Sequence, residues 1–181
     1  HCRDIAHEYI DRVGMDITLY RPLRVVLDCG NGVTADIAPA LFRSLGCEVS
    51  PLFCELDGDF PNHHPDPAIP DNLTALCETV TAQGADIGLA FDGDGDRLGV
   101  VDSEGHIIWP DRQLMLFARD VLSRLPGADV VFDVKCSRHL AELITDNAGV
   151  PVMAPSGHSS LKQRRNETDA PLAGEMSGHM I

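Results

Sequence analysis

The run Val25-Val26-Leu27-Asp28-Cys29-Gly30-Asn31-Gly32 decides the fold: an apolar strand passes straight into a glycine-rich turn. The same pattern returns at Val130-Val131-Phe132-Asp133, again followed by a turn and a helical stretch, which points to two related units. Outward from the first strand, a helix with Pro39 near its start runs to about Leu45 and stops at Gly46, and Glu48-Val49-Ser50-Pro51-Leu52 reads as a short strand. A helix carrying Leu73, Leu76, Cys77 and Val80 begins with Asp71 as its cap and ends at Gly84. Ile87–Phe91 and Leu98–Val101 follow as strands, then a helix whose Leu114, Phe117, Ala118, Val121, Leu122 and Leu125 share one face. A last helix spans Ser137 to Gly149, and an opening helix carries Ile5, Tyr9, Ile10 and Val13. Strands alternating with helices predict an α/β fold: two related three-layer α/β units with mixed, mostly parallel sheets, over residues 1–106 and 107–181.

Composition narrows the partners. The chain has 181 residues, 44% apolar and 5% aromatic, enough for one domain or two small ones with cores of Val, Leu, Ile and Ala. No apolar run reaches the ~20 residues that span a bilayer, so a soluble cytoplasmic protein is expected, with no membrane partner. A net charge of −14 argues against nucleic acid, which needs clustered cations. The cysteines at 2, 29, 47, 54, 77 and 136 form no Cys-x-x-Cys pair and no zinc spacing, so free thiols are expected. Asp57 to Pro70, with four prolines and His63-His64, reads as an ordered loop or a linker. The start at His1 and the stop at Ile181 give the look of a piece of something longer.

The chemistry concentrates in Phe91-Asp92-Gly93-Asp94-Gly95-Asp96-Arg97. Three carboxylates on alternate positions suit a hard cation such as Mg²⁺ or Ca²⁺, and Arg97 offers a planar fork to a second anion. A solvated acidic turn is the plain alternative. An EF-hand fails: with Asp92 as position one, position six is Arg97 in place of glycine and position twelve is Ser103 in place of a bidentate Glu. A haloacid-dehalogenase-like phosphatase also sets Asp-x-Asp after a strand, but Asp94-Gly95-Asp96 is followed by Arg97-Leu98 and not by a small Gly-Thr pair.

Together with Asp28–Gly32, Phe60-Pro61-Asn62-His63-His64-Pro65-Asp66-Pro67, Asp133-Val134-Lys135-Cys136, Gly157-His158-Ser159 and Gly174-Glu175-Met176-Ser177-Gly178-His179, this loop resembles the α-D-phosphohexomutase superfamily. The resemblance runs almost end to end and is nearest the bacterial phosphomannomutase/phosphoglucomutase branch. It implies the second domain and most of a C-terminally truncated third domain of a four-domain enzyme. In such enzymes a phosphoserine converts a hexose 6-phosphate and hexose 1-phosphate into one another through a bisphosphorylated sugar. The serine loop, Thr-Ala-Ser-His-Asn-Pro, belongs to the first domain and does not occur in this sequence, so the chain alone is expected to be inactive. The missing serine and phosphate-binding domains and mannose or glucose phosphates are its implied partners.

Carried over residue by residue, Asp92, Asp94 and Asp96 hold Mg²⁺, and Arg97 offsets charge on the transferring phosphoryl group. Lys135 and His158 match basic positions near the phosphoserine; outside the resemblance they read as a strand-end lysine and a helix-capping histidine. Glu175, Ser177 and His179 match the sugar-binding loop, where a carboxylate accepts from neighbouring hydroxyls. Met176 stands where the phosphoglucosamine mutase branch usually has Gln, favouring mannose and glucose phosphates. Ala154-Pro155-Ser156 departs from the family's frequent Lys-Thr and removes one cation beside His158. The rival function is a metal-dependent sugar-phosphate binding module without turnover.

Overall fold

A computed structural model describes residues 5–181, and the chain divides into two compact units between Ile107 and Ile108. In the first unit, α1 (Ala6–Gly14) precedes β1 (Arg24–Asp28), α2 (Ala38–Ser44), β2 (Glu48–Leu52), α3 (Thr74–Gln83), β3 (Ile87–Phe91) and β4 (Leu98–Asp102), and the edge strand β5 (Ile107–Ile108) falls on the division itself. Its sheet has the order β2-β1-β3-β4-β5: β2, β1 and β3 are parallel, and β4 returns antiparallel to β3. In the second unit, α4 (Pro110–Arg124) precedes β6 (Asp129–Asp133), α5 (Arg138–Asp146), β7 (Val150–Ala154), α6 (His158–Thr168) and β8 (Leu172–Gly174), and the wholly parallel sheet has the order β7-β6-β8. Taken strand for strand, β1, β2 and β3 correspond to β6, β7 and β8, so the repeat seen in the two Val-Val strands is a repeat of topology.

Alternation along the central strands builds three layers in each unit. In β1, Val25 and Leu27 pack with Ala38 of α2 on one face, while Val26 meets Leu76 and Val80 of α3 on the other. In β6, Val130 and Phe132 face Leu114 and Leu140, and Val131 faces Leu161 of α6. Because both faces of a central strand are covered, it is wholly apolar between its end residues, Arg24 and Asp28 in β1 and Asp129 and Asp133 in β6.

Several elements depart from the sequence expectation. Asp71 does not cap α3: it sits in a 3₁₀ turn, Pro70–Leu73, and Leu73 occupies the N-cap with no side-chain hydrogen bond. Phe117 and Leu125 are exposed while Leu114, Ala118 and Leu122 are buried, so the apolar stripe of α4 is narrower than the spacing predicts. β7, α6 and β8 were not expected as elements; β8 takes Ala173 and Gly174 out of what reads as a loop. Cys29, Cys47, Cys54, Cys77 and Cys136 are free thiols, and Cys2 lies outside the described residues. The opening helix starts at Ala6, with Ile5 at its N-cap position.

Candidate functional site

The acidic loop joins β3 to β4, two strands where an EF-hand needs helices. Asp92 is buried, while Asp94 and Asp96 are exposed, and one carboxylate oxygen from each lies within 4.8 Å of the others. Gly95 has φ 79°, a left-handed turn that a side chain disfavours, and it lets the chain double back between the two outer carboxylates. Arg97 braces the buried one: its backbone N–H donates to Asp92 Oδ1 at 3.1 Å and its Nε to Oδ2 at 2.7 Å. Burial alone raises the Asp92 pKa, but these donors outweigh it and hold the carboxyl below its ordinary range.

The Asp57–Pro70 stretch is an ordered wall of this site. Asp66 accepts Arg97 Nη1 at 2.8 Å. Pro65 and Phe60 pack on Gly93, and Asn62 Nδ2 donates to Asn31 Oδ1 at 2.7 Å. His63 Nε2 lies 3.1 Å from Asp28 Oδ2, and its ring meets Phe53 edge-on at 5.3 Å. Burial raises the Asp28 pKa despite the nearby His63. Gly32 supports the loop from the other side: Val33 N–H donates to Gly93 O at 3.1 Å, and a Cβ on Gly32 would stand 2.7 Å from that oxygen. The guanidinium expected to face a second anion is thus turned toward Asp92 and Asp66. Asp66, Asp92 and Asp96 lie against this one positive group, and Asp94 adds a fourth carboxylate to the loop. The surplus and the all-oxygen donor set suit a hard divalent cation at Asp92, Asp94 and Asp96.

In the second unit, the loop after β8 is closed by paired backbone bonds. Ala173 N–H donates to Ile181 O at 2.7 Å, Ile181 N–H to Ala173 O at 2.8 Å, and Glu175 N–H to His179 O at 3.1 Å. Glu175 is buried, with Oε2 accepting Gly157 N–H at 3.2 Å and Oε1 lying 2.6 Å from His179 Nδ1. A carboxylate only accepts, so the proton of that contact is on the imidazole. Ser177 Oγ is 2.9 Å from the same nitrogen, and the rings of His158 and His179 meet edge-on at 5.1 Å. Four of the five residues named for this unit therefore form one cluster, with ligating atoms of His158, Glu175 and His179 within 4.8 Å of one another. Lys135 is exposed on the turn after β6, outside that cluster.

Asp133 is a residue the sequence reading did not single out for the site. It is buried at the end of β6, where its carboxylate accepts Ser156 Oγ–H at 2.7 Å, Cys136 Sγ–H at 3.1 Å and Met176 N–H at 3.3 Å. Burial pushes the Cys136 thiol pKa up, with Asp133 adding to it, so the sulfur stays a protonated donor. Asp133 thus ties three segments of the unit to one anion. The signal was present in the paired strand ends, since Asp28 occupies the same place in the first unit.

Two α/β units, each with a loop of candidate site residues at the carboxyl end of its third strand, define the class; ligands of open α/β sheets gather at such ends. The family models for phosphoglucomutase/phosphomannomutase match this chain as alpha/beta/alpha domain II over residues 7–105 and domain III over residues 109–181, and the chain belongs to that family. It is 59% identical over 178 residues to the phosphomannomutase/phosphoglucomutase of Pseudomonas aeruginosa, covering 98% of this chain and 38% of that protein. It is 53% identical over 179 residues to a phosphoglucomutase of Neisseria gonorrhoeae, covering 99% of this chain and 39% of the relative. A crystal structure of a phosphoglucomutase/phosphomannomutase family protein from Burkholderia thailandensis superposes with a TM-score of 0.93 at 56% identity, over 98% of this chain and 39% of that one. The chain therefore spans well under half the length of these relatives. Among the described residues, no helix is long and apolar enough to cross a membrane.

Proposed function

We propose that this chain carries the metal-binding loop and the sugar-reading loop of a phosphomannomutase/phosphoglucomutase, which interconverts the 6- and 1-phosphates of mannose or glucose in the cytoplasm. The observation that carries the reading is the braced acidic loop, in which carboxylate oxygens of Asp92, Asp94 and Asp96 lie within 4.8 Å of one another while Arg97 holds Asp92. These three residues would hold Mg²⁺, which when bound supplies positive charge against a transferring phosphoryl group. Arg97 fixes the direction of Asp92 and adds positive charge beside it. Lys135 and His158 serve as basic groups that orient phosphate and move a hydroxyl proton. Glu175, Ser177 and His179 read sugar hydroxyls. Each Glu175 oxygen has a protein partner and a further lone pair to offer, so the carboxylate is aimed before sugar arrives. The serine-bearing and phosphate-gripping parts of the longer relatives are the partners this reading requires, and the high identity to the Pseudomonas aeruginosa enzyme supports it.

A chimaera tests the function. Residues of the Pseudomonas aeruginosa enzyme that match this chain are exchanged for the chain itself, and conversion of mannose 1-phosphate to the 6-phosphate is followed. Activity is expected to survive the exchange. Glu175→Ala in the chimaera should lower kcat/KM about ten- to a hundredfold through loss of a charged hydrogen bond, while Mg²⁺ affinity stays unchanged. An inactive but folded chimaera, or a Glu175→Ala chimaera with full activity, would overturn the assignment.

A further inference from the structure

Cys29 and Cys54 stand apart from the proposed reaction. Cys29 follows β1 directly and is wholly buried; Cys54, two residues beyond β2, is only partly buried. Their sulfurs share a hydrogen bond at 3.0 Å. Three hydrogen bonds hold the two segments together around the pair: Cys29 N–H to Leu52 O at 3.1 Å, Asn31 N–H to Phe53 O at 2.8 Å, and Asn31 Nδ2 to Glu55 O at 2.7 Å. Phe53 adopts φ 50°, a left-handed conformation unusual for a bulky side chain. It turns the chain so that the Cys54 sulfur comes within 3.6 Å of Leu27 O in β1. Proximity here is imposed by the backbone and not by a chance rotamer.

The two thiols are unequal. The hydrogen bond that the two sulfurs share, with burial, raises the Cys29 pKa, and against burial it lowers that of Cys54. Cys54 is also among the residues that line a cavity of about 380 Å³, with Asn31, Pro51, Phe53, Glu55 and Asn62, so a small molecule can approach that residue. A partly buried thiol held against a wholly buried resolving thiol is an arrangement that oxidants select.

We propose that Cys54 and Cys29 form a hydroperoxide-reactive pair that closes to an intramolecular disulfide. The Cys54 thiolate attacks one peroxide oxygen, the O–O bond breaks, and hydroxide leaves as a sulfenic acid forms. The Cys29 thiol then attacks the Cys54 sulfur; the S–O bond breaks, the S–S bond forms, and water departs with the Cys29 proton. Two thiols and one hydrogen peroxide become one disulfide and two waters, the two electrons passing from the sulfurs to the peroxide. The sulfurs need to approach by only about 1 Å, so neither strand has to leave its register.

The test treats the whole 181-residue chain with one equivalent of hydrogen peroxide, alkylates the remaining thiols and maps the cross-linked peptides by mass spectrometry. The expected product has lost two hydrogens, contains Cys29 joined to Cys54, and returns to two alkylatable thiols on treatment with dithiothreitol. Before oxidation, Cys54 should alkylate at least about tenfold faster than Cys47 or Cys77. Cys29→Ser should retain a dimedone-trappable sulfenic acid on Cys54. Should both sulfurs of the unsubstituted chain stay alkylatable, or the links scatter over the other cysteines, the proposal fails without reliance on any variant's folding.

Discussion

At the residue scale, a buried carboxylate closes the central strand of each unit, Asp28 after Val25-Val26-Leu27 and Asp133 after Val130-Val131-Phe132. Asp133 accepts from Ser156, Cys136 and Met176, so replacing it by Asn removes the charge and turns a donor toward groups that are themselves donors. Asp133→Asn should destabilise the chain by about 1.5–3 kcal/mol, read as a lower urea midpoint at unchanged slope. A variant with the original midpoint would show that Asp133 does not hold these segments. A different carboxylate sets a pH response. The Arg21 guanidinium, at 2.9 Å, and the Arg24 N–H, at 2.7 Å, hold Asp86 down to about 2. Its pKa is depressed in the folded chain, so its contribution is present above the unfolded value of about 3.9 and is lost as pH falls toward 2. The Asp86 carboxyl shift in NMR should titrate with a midpoint near 2, and a midpoint near the unfolded value would contradict the clamp. Neither carboxylate's role was legible in the sequence, because Asp86 meets Arg21 and Asp133 meets Met176 only through long-range folding. Asp92, Asp94 and Asp96 were legible because their spacing is local.

At the element scale, legibility followed periodicity. β1, β3 and β6 are apolar runs that can be read directly. α6 is Leu161 among charged and polar residues, with that leucine alone deeply buried, so its helical period leaves almost no apolar trace. β7 carries Pro151 and is half exposed at the sheet edge, and β8 has three residues, too few to show alternation. The Asp57–Pro70 loop looked like a possible linker because its order comes from distant partners, Asn31, Asp28 and Arg97. Gly32 supplies the element-scale test. Gly32→Ala places a methyl 2.7 Å from a backbone oxygen of the acidic loop, where no side chain can yield, and should cost about 1–3 kcal/mol. Gly14→Ala, at the end of α1 with nothing within 4 Å, should be neutral or stabilising by up to about 1 kcal/mol. Thermal unfolding of the two variants side by side measures the contrast, and equal midpoints would refute the close approach.

At the scale of the whole molecule, a net charge of −14 attracts any cation loosely, which makes specific binding the question to settle. At about 0.15 M salt, charges beyond roughly 8 Å are largely screened, and a site built by three carboxylates within 4.8 Å should stand out from the diffuse background. The two-unit plan was readable from the repeated strand and turn, and the family match over both units agrees with it. What the whole chain contributes to a reaction rests on whether the acidic loop is a metal site. Calorimetric titration of Mg²⁺ into the chain and into Asp94→Asn, both at about 0.15 M salt, is the most direct measurement. Asp94 is exposed, so its loss leaves the Arg97 brace on Asp92 in place and the fold unchanged. The account predicts one Mg²⁺ per chain, bound at least about tenfold more weakly by Asp94→Asn; equal binding by the two proteins would contradict it.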